Sequence, residues 1–132
     1  ATRMMGLGLS PNSFGLFMAT AAYSPEGAAW VDDLVGYLDG NRRLFDEGVN
    51  AIPGLKSKAL DSTDLSRGSR ENTVMAREEF TRRVEQDACI AVNHGPTFGK
   101  GGDSWLRFNI ATPRERINEA VERLATAFGD LQ

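Results

Sequence analysis

The chain has 132 residues, a formal net charge of -3, 41% hydrophobic and 25% charged side chains, and one cysteine. A chain of this size holds a single domain with a modest core, its charge offers no positive reservoir for a phosphate backbone, and one cysteine excludes an internal disulfide. No apolar run approaches the roughly 18 residues needed to span a bilayer, so composition predicts a soluble cytoplasmic protein that binds neither nucleic acid nor membrane.

The opening "ATRMMGLGLSPNSFGLFMATAAY" places an arginine before an apolar stretch, as a secretory leader would, but Gly6, Gly8, Pro11 and Asn12 break that stretch. The chain is expected to begin mid-fold, and a start at Ala1 fits a fragment or a processed product. Ser10 and Pro11 read as the N-cap and first position of a helix through Phe14, Phe17, Met18 and Ala21 that ends near Tyr23. Ser24 and Pro25 repeat the signal. Apolar residues then recur at Trp30, Leu34, Tyr37, Leu38, Phe45, Val49 and Ile52, predicting a long helix up to Pro53 and Gly54. Gly36, Gly40 and Gly48 are its weak points, each costing up to about 1 kcal/mol relative to alanine, and a bend is expected near Gly40.

Leu55 to Leu60 is a short strand candidate. In "DSTDLSRGSRENTV" the apolar pattern fails. A central strand there would bury Asp64, Arg67, Arg70 and Glu71 at several kcal/mol per unpaired ion, so Asp61 to Val74 is expected to be a mobile loop that leaves the sheet and bares the edge of a neighbouring strand. Met75 to Ala88 returns to helix with Phe80 and Val84 inward, and "CIAVN" reads as a compact buried strand with Cys89 in the core.

"HGPTFGKGGDS" is a glycine-rich turn region. It fails as a phosphate cradle, because Gly95 and Gly99 stand one residue too close and Gly101 occupies the place of the magnesium-binding Ser or Thr. His94, the single histidine, has no second imidazole or paired cysteine with which to build a metal site, and reads as a structural loop residue. In "WLRFNI", Leu106, Phe108 and Ile110 alternate with Trp105, Arg107 and Asn109, the period of a half-buried strand. Thr112, Pro113 and Glu115 form a capping box for a last helix whose apolar face is Ile117, Val121, Leu124 and Phe128. The elements run as two helices, a short strand candidate, a helix, two strand candidates and a last helix.

No nucleophile, histidine and carboxylate can be assembled into a triad from spacing, and Asp32, Asp33, Asp46 and Glu47 look like the wet side of a helix. Arg107 leaves two readings open. Its stem can cover apolar surface while its head pairs with a surface carboxylate, or its planar, permanently charged fork can hold a ligand carboxylate by two parallel hydrogen bonds.

"FGKGGDSWLRFNIATPRERINEAVERLATAF", with "CIAVNHGPTFG" and "AAYSPEGAAWVDDLVGYLDGNRRLF", resembles the small C-terminal domain of fold-type I pyridoxal-phosphate enzymes of the aminotransferase class I/II superfamily. Within it the resemblance is to the carbon-sulfur beta-lyases, the cystathionine beta-lyase-like MalY/PatB group. It covers nearly the whole chain, and "LRFNIATPR" is its most specific run. The resemblance implies an α+β fold, a short antiparallel sheet covered by helices with a long N-terminal helix, divided into an interface helix over 1–23, the long helix over 24–52 and an α+β subdomain over 53–132. It implies that Arg107 binds the alpha-carboxylate of an amino-acid substrate, that Asn109 is a substrate-site neighbour supporting the strand, and that Arg114 is structural. It also implies a pyridoxal phosphate cofactor held on a lysine of a large domain preceding this region, where beta-elimination of a thiolate or transamination would take place. Lys56, Lys58 and Lys100 lie outside the family's cofactor-lysine motif. The chain alone is therefore expected to bind no cofactor and to be inactive, and it is expected to form a homo-oligomer through its first helix. A non-catalytic assembly domain derived from the same fold is the alternative. Relatives carry an aromatic-rich strand where this sequence has Asp64 to Val74, and kept spacing with replaced character is what compensating reading-frame changes would produce, which the coding DNA can refute.

Overall fold

The computed structural model describes residues 12–58, 65–69 and 75–131, with the isolated positions 6, 8 and 10. In chain order the elements are α1 (Ser13–Ala22), α2 (Pro25–Asn50), β1 (Lys56–Lys58), β2 (Leu65–Ser69), α3 (Arg77–Arg82), β3 (Asn93–His94), β4 (Trp105–Asn109) and α4 (Arg114–Ala127). A π turn over Arg83–Asp87 continues α3, and a 3-10 turn over Gly95–Phe98 follows β3.

Two compact units divide the chain, Ala1–Tyr37 and Leu38–Gln132. The first contains α1 and the start of α2. The cap of α1 is Asn12 instead of Ser10, with its side-chain oxygen accepting from the Gly15 amide at 2.6 Å. No residue of α1 is buried, and Phe14, Phe17 and Met18 stand exposed on it.

The second unit carries the sheet, all antiparallel, in the order β1-β2-β4-β3. This is the α+β architecture that the resemblance implies. Alternation along β4 buries Leu106 and Phe108, with Ile110 just beyond the strand. They meet Phe45 and Val49 of α2, Phe80 and Val84, and Ile117, Leu124 and Phe128, the face read from the last helix. Gly40 and Gly48 are contact points in α2, since a Cβ on Gly48 would fall 2.4 Å from a Val121 methyl and one on Gly40 would fall 2.5 Å from the Arg114 guanidinium. The missing side chains let α4 pack close, which offsets the propensity cost.

β2 overturns the expected loop. Leu65–Ser69 is a strand between β1 and β4, while 61–64 and 70–74 lie outside the described residues. The register sets Gly68 opposite Leu106, on the face that packs into the core, and Arg67 opposite Arg107. Pairing with both β1 and β4 gives this segment backbone hydrogen bonds along both edges, which the absence of apolar alternation does not prevent. Gly68 is buried, and a Cβ there would lie 2.9 Å from the Phe108 ring.

Two further expectations fail at chain reversals. Of "CIAVN" only Asn93 enters a strand, and Cys89 is exposed with a φ of 53°. The Ala88 amide bonds to the Arg83 carbonyl and the Ile90 amide to the Val84 carbonyl, closing the helix end around a left-handed residue whose side chain points outward. The capping box of α4 does not form either. Its N-cap is Pro113, which makes no side-chain bond. Asn41, wholly buried on α2, fastens this corner instead, donating to the carbonyls of Ile110 (3.0 Å) and Thr112 (2.8 Å) and accepting from Arg114 Nε (3.1 Å).

Glu79 ties α3 to the end of α4. It accepts from Arg82 Nε and Arg83 Nε, each at 2.8 Å, while Arg83 reaches the Ala127 carbonyl and Asp130. Arg82 first and then Arg83 hold the Glu79 carboxyl down to about 2. A carboxyl lowered in the folded state contributes stability above its unfolded value, and that contribution is lost as pH falls through the folded one. Urea unfolding is therefore expected to show stability falling from about pH 4.5 towards about pH 2, with a shallower fall in Glu79→Gln. An unchanged acid limb in that variant would contradict the role given to this cluster.

Candidate functional site

β3 and β4 form a hairpin whose paired residues are symmetric about Lys100, with Asn93 opposite Arg107 and His94 opposite Leu106. The loop is tightened where two glycines meet, since a Cβ on Gly95 would fall 2.1 Å from the Gly102 carbonyl oxygen. Phe98 of this loop lies against Trp105 and Arg107 of β4.

Three groups layer there. The Arg107 guanidinium lies 4.2 Å from the centre of the Phe98 ring, and Phe98 stacks on Trp105 with centroids 5.7 Å apart and planes 20° from parallel. The indole N–H of Trp105 donates to the Gly101 carbonyl at 3.1 Å. Arg107 also donates twice to one atom, the Asn93 Oδ1, from Nε at 3.2 Å and from Nη2 at 2.8 Å. Among the described residues no Asp or Glu pairs with it, so the surface-carboxylate reading of Arg107 does not describe this arrangement.

Asn109 stands two residues on, at the exposed end of β4, where its Oδ1 accepts from the Ala111 amide at 2.8 Å. It closes a local turn at the strand end. His94 is paired with Glu85, Nε2 to Oε1 at 2.8 Å, and takes no part in the Arg107 cluster. Arg107 lies outside the groove of about 390 Å³ whose walls include Ile90, Ala91, Asn109, Arg116 and Ile117. Sequence reasoning missed Asn93 and Phe98. Reading "AVNHGPTFGKGGDSWLRF" as one hairpin centred on the glycine-rich turn could have paired Asn93 with Arg107.

Lys56, Lys58 and Lys100 are all exposed, and none lines that groove. A pyridoxal phosphate held covalently needs an amine inside a walled site, so these residues do not fit the cofactor, and no residue of this chain is assigned to hold it. Among the described residues no group of three or more His, Cys, Asp or Glu could hold a metal ion.

No family model matches the chain. It is 28% identical over 119 residues to Protein MalY of Escherichia coli, covering 89% of this chain and 30% of that protein. It is 25% identical over 107 residues to an aspartate aminotransferase of Pyrococcus horikoshii, covering 81% of this chain and 27% of that one. Among solved structures, cystalysin of Treponema denticola, which contains a pyridoxal 5'-phosphate cofactor, superposes with a TM-score of 0.82 at 26% identity over 98% of this chain and 33% of that one. The chain thus spans about a third of the length of the relatives it matches. Its homologues are MalY, PatB, cystathionine beta-lyases and aminotransferases of pyridoxal-phosphate fold type I, and the chain is consistent with a C-terminal domain of that superfamily.

Proposed function

We propose that this chain is the small domain of a pyridoxal-phosphate-dependent carbon-sulfur beta-lyase of the cystathionine beta-lyase type, or of an amino-acid aminotransferase, and that Arg107 receives the substrate's alpha-carboxylate. The observation that carries this reading is an arginine on a sheet strand, steadied by an amide and an aromatic ring, with no carboxylate of the described residues paired to it. A fixed fork holds a carboxylate by two charge-assisted bonds and orients the amino acid for cleavage at its alpha or beta carbon. Elimination and transamination make the same demand on it. Arg107 is half-buried on β4 and lies outside the groove of the second unit, so an enclosing wall would come from another domain or subunit.

The test is a chimera in which the chain replaces the matching segment of MalY, with cofactor absorbance checked and turnover of L-cystathionine measured. Arg107→Ala is expected to lower kcat/KM by about a hundredfold, the loss of two bonds to a charged group, with the cofactor spectrum retained. A kcat/KM unchanged by Arg107→Ala would overturn the assignment.

The second reading is an assembly module, supported by the exposed Phe14, Phe17, Tyr23 and Trp30 of the first unit. Exposed apolar patches of this kind mark contact surfaces, and a second copy of the chain is the partner in this reading. Light scattering is expected to give a dimer or larger species that Phe14→Asp with Phe17→Asp dissociates; a monomer at high concentration would contradict it. No described helix is long and apolar enough to cross a membrane. A single cysteine that is exposed suits the reducing cytoplasm in which we place the protein.

A further inference from the structure

We propose that Asn93 and Phe98 form a neutral clamp that fixes the guanidinium of Arg107 without consuming its charge, so that Asn93 is a positioning residue for carboxylate binding; this rests on the reading of Arg107 as the carboxylate site. A guanidinium presents five N–H groups in one plane. Asn93 Oδ1 takes the Nε side, at 3.2 Å from Nε and 2.8 Å from Nη2, and the Phe98 ring covers one face of the plane at 4.2 Å. What remains is the end of the fork, Nη1 with the second N–H of Nη2. That is an edge able to meet both oxygens of one carboxylate.

The chemistry of the clamp differs from that of several arginines on the helices of the same unit. Arg42, Arg82, Arg83 and Arg123 are each paired with a carboxylate of this chain. Arg107 is held by an amide oxygen, which accepts the same two hydrogen bonds but carries no net charge. An aspartate at position 93 would be nearly isosteric and would neutralise the cation, leaving an incoming anion to compete with a permanent internal one. The backbone sets this arrangement, because the hairpin register places Asn93 opposite Arg107. Phe98 adds a cation–π contact, which attracts the cation without neutralising it.

The experiment follows the Arg107 Nε–H signal by NMR in the full chain, with the Leu106 and Phe108 amides reporting that β4 stays folded. In the parent chain that Nε–H is expected to exchange slowly with water and to shift saturably on addition of sodium acetate at constant ionic strength. Asn93→Asp should keep the slow exchange but weaken acetate binding at least about tenfold. Asn93→Ala should lose both the slow exchange and, by a similar factor, the affinity. Parent-like acetate affinity in both variants would overturn the clamp while leaving Arg107 as the carboxylate site. An Arg107 signal indifferent to acetate in the parent would overturn the carboxylate reading itself, and the clamp's purpose with it.

Discussion

Phe45→Ala is expected to lower the unfolding free energy by about 4 kcal/mol, read from the midpoint of urea unfolding. Phe45 is 1% exposed, and its ring meets that of Phe108 at 5.1 Å between centroids. It therefore joins α2 to the strand that carries Arg107. Removing the ring deletes its transfer free energy and leaves a void that the surrounding helices and β4 fill only in part. Phe45→Leu keeps much of the volume, and its cost should fall below about 1.5 kcal/mol. Equal effects from the two variants would show that the site collapses freely, and that Phe108 does not depend on this contact for its place.

The second large effect belongs to Asn41. Asn41→Leu is expected to cost about 3 kcal/mol, because it leaves the carbonyls of Ile110 and Thr112 without the amide that serves both and removes an acceptor from Arg114. Leucine fills similar space, so the loss is one of hydrogen bonds and not of volume. Asn41→Asp distinguishes the donors from the acceptor. It keeps an oxygen for Arg114 but faces two carbonyl oxygens with a carboxylate, and should be nearly as damaging as leucine. A tolerated Asn41→Asp would mean that the two carbonyls find other donors.

These two residues differ in how far the sequence disclosed them. Phe45 falls in a helical repeat of apolar residues, and the same periodicity revealed the buried faces of α4 and β4. Asn41 sits in that helix between apolar positions, and nothing in its neighbours points to Ile110 and Thr112, some seventy residues away. A polar residue on a helix is read as solvated unless its distant partners are known. β2 was hidden for a related reason. Its apolar alternation fails, and sequence does not tell that β1 and β4 flank Leu65–Ser69 on both edges. Cys89 misled in the opposite direction, since an apolar neighbourhood in sequence ended at a left-handed helix terminus that turns its side chain outward.

Arg107 itself was legible as a cation on an alternating strand, and the resemblance to pyridoxal-phosphate enzymes gave it a role. Its partners Asn93 and Phe98 required the hairpin register and the close approach of Gly95 to Gly102. Arginine count could not have indicated it, because arginines such as Arg42, Arg82 and Arg83 on the helices of the same unit are paired with carboxylates.

The central claim is that Arg107 recognises a carboxylate, and it is tested most directly by comparing N-acetyl-L-alanine with N-acetyl-L-alaninamide, which differ only in that group. In NMR titrations of the whole chain, the acid should shift the Arg107 Nε–H saturably while the amide leaves it in place, and Arg107→Gln should abolish the response of β4 to the acid. Equal shifts from acid and amide, or an acid response that survives Arg107→Gln, would contradict the account.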